Sequence, residues 1–330
     1  MRLALMTLAL LTLATSFAAR ADEALPDWAY AITPLDDGNP TPQTLPGSDR
    51  SFTRAQLTNP FAPTDWYPGD HPPMPRIVSR GRPPLVFACA FCHHPNGQGR
   101  PENAGVAGLP KAYIAQQMHD FRDGLRHNAQ AFKSNTRIMV TAAQVMTEEE
   151  IDAAAEYFSA IPWAPWIRVI ETDTVPKTDL RAGIFLVRRG ERAGTEPIGD
   201  RIVEVPEDED RSEYRRDPRS GFIAYVPPGA VSRGAELVKT GAQPAGPCAS
   251  CHGEDLAGLG DVPGIRGRSP SYVARQLYDF REGTRAGRMA APMRPVVEGL
   301  TVKDITDISA YLASLRPAPM SRAVGGGSNP

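Results

Sequence analysis

The sequence predicts an all-α protein of two similar helical domains, joined by a long irregular segment with room for one small β-hairpin. Three observations carry this. A block of residues recurs at a fixed offset, each copy spaces its apolar residues as a helix does, and the stretches between are rich in proline and glycine, 33 and 29 in 330 residues. A chain of this length has room for two ordinary domains, and 41% hydrophobic against 22% charged residues excludes a disordered one. The formal charge of −2 (36 Lys+Arg, 38 Asp+Glu) argues against a nucleic-acid binder, whose footprint would be basic.

Residues 1–21 form the first element, an export signal. Arg2 supplies the positive start, Leu3 to Ala18 the apolar run and Ala19-Arg20-Ala21 the cleavage site, so the mature chain is expected to begin at Asp22. An uncleaved anchor is the other reading, but the run falls short of the roughly twenty residues a span needs. No later stretch is apolar enough to cross a bilayer, which makes a soluble periplasmic product the expectation. Losing Arg2 and Arg20 takes the formal charge from −2 to −4. The next segment, residues 22–80, holds eleven prolines from Pro26 to Pro75 and should be extended, lying on the folded domains.

The first domain, residues 81–162, introduces the repeat. Cys89-Ala-Phe-Cys92-His93 recurs as Cys248-Ala-Ser-Cys251-His252, an offset of 159 that also carries Tyr113…Asp120-Phe-Arg-Asp-Gly124 onto Tyr272…Asp279-Phe-Arg-Glu-Gly283. Ile114, Met118 and Phe121, like Val273, Leu277 and Phe280, fall on one helical face. A second helix closes each copy, starting at the capping boxes Thr147-Glu-Glu-Glu150 and Thr301-Val-Lys-Asp304. Aligning these caps needs an offset of 154, so copy one has five extra residues between Gly124 and Met139. The connector, residues 163–228, contains two strand-like runs, Ile184 to Arg188 and Arg201 to Val205, which suggest a hairpin. Its charged tract Glu207 to Arg219 reads as solvated surface. The second domain, residues 229–317, has a helix candidate at Ser232 to Thr240, where copy one offers only Arg82-Pro-Pro-Leu-Val-Phe-Ala; residues 318–330 are a flexible tail.

All four cysteines lie in CxxCH motifs. That spacing suits two thioether bonds to the vinyl groups of one porphyrin, with the following His93 or His252 ligating the iron, so two covalently attached molecules of heme c are expected. A four-cysteine zinc site would leave both histidines unexplained, and a thioredoxin-like pair needs a strand-to-helix context.

These motifs, the Tyr…Gln…Asp-Phe-Arg-x-Gly helices and a Met before a Thr-capped terminal helix resemble the diheme class I c-type cytochromes of the cytochrome c4 type, over about residues 85–160 and 232–316. The resemblance implies a class I cytochrome c-like helical domain around each heme. It also implies that a residue eleven after each His supports the imidazole through its carbonyl: Pro263 in copy two, Ala104 in copy one. The second axial ligand follows from the residues themselves. Copy two has no histidine besides His252, and of its methionines Met289, Met293 and Met320 only Met293 has a counterpart, since Met139 and Met293 each lie eight residues before the capping threonine. Met146 aligns with Leu300, Met118 with Leu277, His119 with Tyr278 and His127 with Ala286, which makes them core or surface positions. His94 should be a surface side chain and His71 a structural one.

A six-coordinate His/Met heme has no vacant position for a substrate and suits electron transfer. The expected function is a periplasmic electron carrier, with no catalytic residue, between a periplasmic dehydrogenase and a terminal oxidase. The competing readings are a diheme peroxidase, a sulfur-compound oxidising cytochrome, and a dedicated cytochrome subunit of a dehydrogenase complex.

Overall fold

A computed structural model describes residues 40–131, 133–181, 185–241 and 246–316. The export signal and the tail after residue 317 lie outside them. Among the described residues no helix is long and apolar enough to cross a membrane.

Both repeats are helical and built on the same plan. Copy one runs through the motif helix Cys89–His93, then Lys111–Arg122, Ser134–Val145 and Glu148–Ser159; copy two through Ala230–Thr240, the motif helix Ala249–His252, Pro270–Arg281 and Val302–Ser314. Both terminal helices start as the sequence requires. The Thr147 and Thr301 hydroxyls accept from the backbone N–H groups of Glu150 and Asp304, whose carboxylates accept in return. The apolar faces meet in two separate cores, one around Met118, Phe121, Ile151 and Phe158, the other around Leu277, Phe280, Ile305 and Leu312.

The copies differ at two places. Ala230–Thr240 crosses the terminal helix of copy two so closely that a Cβ on Gly234 would stand 2.0 Å from the Asp307 carbonyl oxygen. Copy one has in its place the single turn Arg76–Ser79, which buries Ile77 and Val78 in the core. The other place follows the Gly124/Gly283 turn. Copy one builds the twelve-residue helix Ser134–Val145, whereas copy two passes through a 3₁₀ stretch, Arg288–Met293, and one α-turn, Arg294–Val297.

Four expectations are corrected outside the repeats. The protein is not all-α: in the connector Ile167–Glu171 pairs in parallel with Phe222–Val226, which pairs antiparallel with Val203–Pro206. The expected hairpin does not form. Phe185–Arg188 pairs instead with Thr178–Arg181, because Val203 and Val205 find apolar, buried neighbours along Phe222–Val226. The described part of the N-terminal segment is folded rather than merely extended, with a strand pair, Gln43–Thr44 and Ser51–Phe52, and the turn of helix Arg54–Leu57 around a core of Leu45, Leu57, Trp66 and Tyr67. Its prolines punctuate a chain that carries enough aromatic surface to bury. The tract Glu207 to Arg219 is not simply solvated either, since Ser212 and Asp217 are buried.

Candidate functional site

In copy one the motif helix sets Cys89, Cys92 and His93 along one wall of a cavity of about 520 Å³, a size typical of cofactor sites. Met118, Phe121, Met139, Met146 and Phe158 contribute apolar and sulfur surface to the same cavity. The His93 ring faces the Phe158 ring edge-on, and its Nδ1 lies 2.8 Å from the Ala104 carbonyl oxygen. That bond fixes the tautomer and leaves Nε2 as the free donor atom. Burial lowers the His93 pKa, so the ring is neutral, the form that ligates iron.

Copy two repeats this geometry. The His252 Nδ1 lies 2.8 Å from the Pro263 carbonyl oxygen, and burial again lowers the imidazole pKa. The Ala104/Pro263 difference therefore leaves the length of the supporting hydrogen bond unchanged. Met293, at the end of the 3₁₀ stretch, packs half-buried against the core that includes Cys248, Val273, Leu277 and Phe280, whereas Met289 is 52% exposed. Met118, Met146, Leu277 and Leu300 are buried at matching positions. His119 meets Glu148 at 2.9 Å and His127 meets the Gly124 carbonyl at 2.8 Å, both on the surface. His71 is held between Asp65, at 3.1 Å, and the Pro72 carbonyl, at 2.8 Å.

His94 is not a surface side chain. It is buried, and it adopts φ 60°, ψ 156°, where Gly253 follows the second motif at φ 83°, ψ 154°. That region of backbone space is nearly reserved for glycine, and a histidine persists there only when its surroundings hold it. The surroundings come from the tract Glu207 to Arg219. The Arg216 guanidinium stacks 4.3 Å from the centre of the Phe91 ring and donates to the Phe91 carbonyl, inside the first motif. Burial and the nearby Arg100 pull Arg216 down to about 10. Nothing in a run of charged residues signals that one of them packs against the motif.

A second group, also missed, lies where the domains meet. Arg126 donates to Gln117 of its own copy at 2.8 Å and to Gln276 and Tyr272 of the other at 3.0 and 3.3 Å. Arg285 does the reverse, donating to Gln276 at 3.1 Å and to Gln117 and Tyr113 at 2.9 and 2.8 Å. Burial alone would raise the Tyr113 hydroxyl, yet the Arg285 and Arg126 guanidiniums beside it pull it below its ordinary value. Both arginines stand two residues beyond the glycine that ends the repeated helix, so extending the self-comparison finds them. Neither has a carboxylate within ion-pair distance among the described residues, and Arg126 lines the cavity of copy one.

These residues fit heme c. The cavity is mostly apolar, two thiols and a neutral imidazole with one free nitrogen line it, the Met139 thioether lines it too, and a buried guanidinium without a carboxylate would meet the porphyrin's acidic groups. Among the described residues no three His, Cys, Asp or Glu side chains converge as a metal cluster, so the two CxxC pairs are not brought together for zinc.

Comparison with known proteins agrees with this geometry. The sequence profile of the cytochrome c family matches residues 84–161 and 231–316. Cytochrome c4 of Pseudomonas aeruginosa is 34% identical over 231 residues, 69% of this chain and 83% of that protein. The thiosulfate dehydrogenase electron acceptor of Thiomonas intermedia is 25% identical over 245 residues, 73% of this chain and 84% of that protein. Cytochrome c-554(548) of Halomonas halodenitrificans is 41% identical over 70 residues, 21% of this chain and 84% of that protein. With a CxxCH motif, a carbonyl-supported histidine and a matched methionine in each of two domains, the chain belongs to the cytochrome c family as a diheme class I member resembling cytochrome c4.

Proposed function

We propose that this diheme cytochrome works in the periplasm, taking electrons from a dehydrogenase and passing them to a terminal oxidase or another acceptor. Cys89 and Cys92 would attach one heme and Cys248 and Cys251 the other, with His93 and Met139, and His252 and Met293, as the residues that would bind the two irons. When bound, each heme supplies a reversible one-electron iron couple. The chain's own residues do the rest. The Ala104 and Pro263 carbonyls hold the imidazoles in one orientation, and the apolar walls keep water from the metal.

The observation that carries the reading is the cavity that His93 and Met139 both line, with a carbonyl-held His252 and a core-packed Met293 at the matching positions of the second copy. An iron bound by both His and Met would have no position left for a substrate. Two relatives are named thiosulfate dehydrogenase electron acceptor and a third is the cytochrome subunit of sulfide dehydrogenase, which supports a dehydrogenase of an inorganic sulfur compound as the donor. Stopped-flow mixing with a reduced thiosulfate or sulfide dehydrogenase should reduce both hemes, and mixing with an oxidant should reoxidise them. Sustained turnover of peroxide or thiosulfate by the isolated cytochrome would overturn the carrier reading.

A further inference from the structure

We propose that the thioether edge of the second domain is the port at which an external, basic-rimmed redox protein docks, because in the first domain the loop after the motif is covered by the chain itself. The inference rests on the reading that both motifs carry heme. Thioether bonds hold one porphyrin edge against the CxxCH turn, so the exposure of that turn and its following loop measures how near a partner can come. Electron transfer falls steeply with distance, and the more exposed edge exchanges faster.

In copy one the two cysteines are half-buried and the loop after the motif is covered. His94, Pro95 and Arg100 are buried, and their cover comes from the connector. Arg216 caps Phe91, the Asn96 amide donates to the Pro218 carbonyl at 3.1 Å, the Gln98 amide to the Ser220 carbonyl at 3.2 Å, and Arg100 to the Ser212 carbonyl at 3.1 Å. The N-terminal segment then locks the cover in place. Arg54 donates to the Tyr214 carbonyl at 2.6 Å, the Trp66 indole to the Arg215 carbonyl at 2.9 Å, and Arg215 to the Thr44 carbonyl at 2.8 Å.

In copy two the matching surface is open. Ser250, Cys251, Glu254, Ala257, Leu259 and Asp261 are all exposed, Leu259 to 62%. Residues 246–264 contain three carboxylates and neither lysine nor arginine. Asp255 is paired with Arg266 at 2.9 Å, whereas Glu254 and Asp261 have no ion pair among the described residues. An apolar point beside the thioether, ringed by unpaired negative charge, is the complement of a partner with an apolar contact inside a ring of lysine or arginine. The patch is small, as weak and fast electron-transfer encounters require.

The test uses the complete protein, first shown to carry two hemes by its pyridine hemochrome. The probe is a lysine-rich single-heme cytochrome c, joined to it by a carbodiimide, which links carboxylates to lysines without a spacer. Peptide mapping should find the links at Glu254 and Asp261. At low ionic strength E254K/D261K should slow electron exchange with the probe roughly tenfold, as rim charges act on association. The same charge change beside the first domain, D123K/E149K, should slow it far less. Links confined to the first domain, no links, or equal slowing by both double variants would overturn the port, with the heme reading intact. A heme count other than two would overturn the heme reading instead.

Discussion

The two cytochrome domains agree wherever the iron would be served and disagree wherever the rest of the chain touches them. Both hold the motif histidine by a carbonyl at 2.8 Å, bury the same helix face and begin the last helix with a capping box. Around the first, a folded N-terminal segment and the connector close over the motif. Around the second, a full-length helix packs from behind and the motif stays open. The comparison teaches that the inner half of such a domain is set by the chemistry it performs, while the outer half is free to specialise one copy for company and the other for shelter.

The ligand pair offers the sharpest test of the agreement. Met139→Ala and Met293→Ala should each convert a protein that ignores carbon monoxide into one that binds a single equivalent when reduced, seen in its visible spectrum. If Met289→Ala opens the second site and Met293→Ala leaves it closed, the register that pairs the copies is wrong. The helix crossing tests the disagreement. Gly234→Ala forces a Cβ against the Asp307 carbonyl and should destabilise the protein by about 1–3 kcal/mol, lowering the urea midpoint with little change in slope. Among the described residues copy one has no equivalent crossing. The smallest expected effect concerns the cover. Arg216 brings a half-buried positive charge to the first motif alone, so Arg216→Gln should lower the first potential relative to the second. A unit charge about 10 Å away at an effective dielectric near 20 is worth ~1.7 kcal/mol, or about 70 mV for one electron. A redox titration in which both potentials move together would remove the claim that the cover acts on one domain.

Most of what the two copies share was legible in the sequence, because it rests on short spacings. CxxCH, the i, i+4, i+7 face and the Thr-x-x-acid box are local patterns, and repetition selected Met139 and Met293 without any structure. What the copies do not share was hidden. The parallel pairing of Ile167–Glu171 with Phe222–Val226 joins strands far apart in the chain, and no turn between them announces it. His94 is a buried polar residue and Arg216 a half-buried charged one, each covered by segments far away in the chain. A sequence shows such residues as surface until the fold places a lid over them.

The reciprocal arginines have a consequence for how the molecule comes apart. Arg126 and Arg285 each take acceptors from both copies, and Gln117 and Gln276 each receive from both guanidiniums. If one domain unravelled alone, the guanidinium of the survivor would lose two of its three side-chain acceptors, a costly change. The two domains should therefore melt in one cooperative transition, and a fragment cut in the connector should be far less stable than its share of the whole. The pair of hemes is thereby kept at a fixed separation for as long as either domain remains folded.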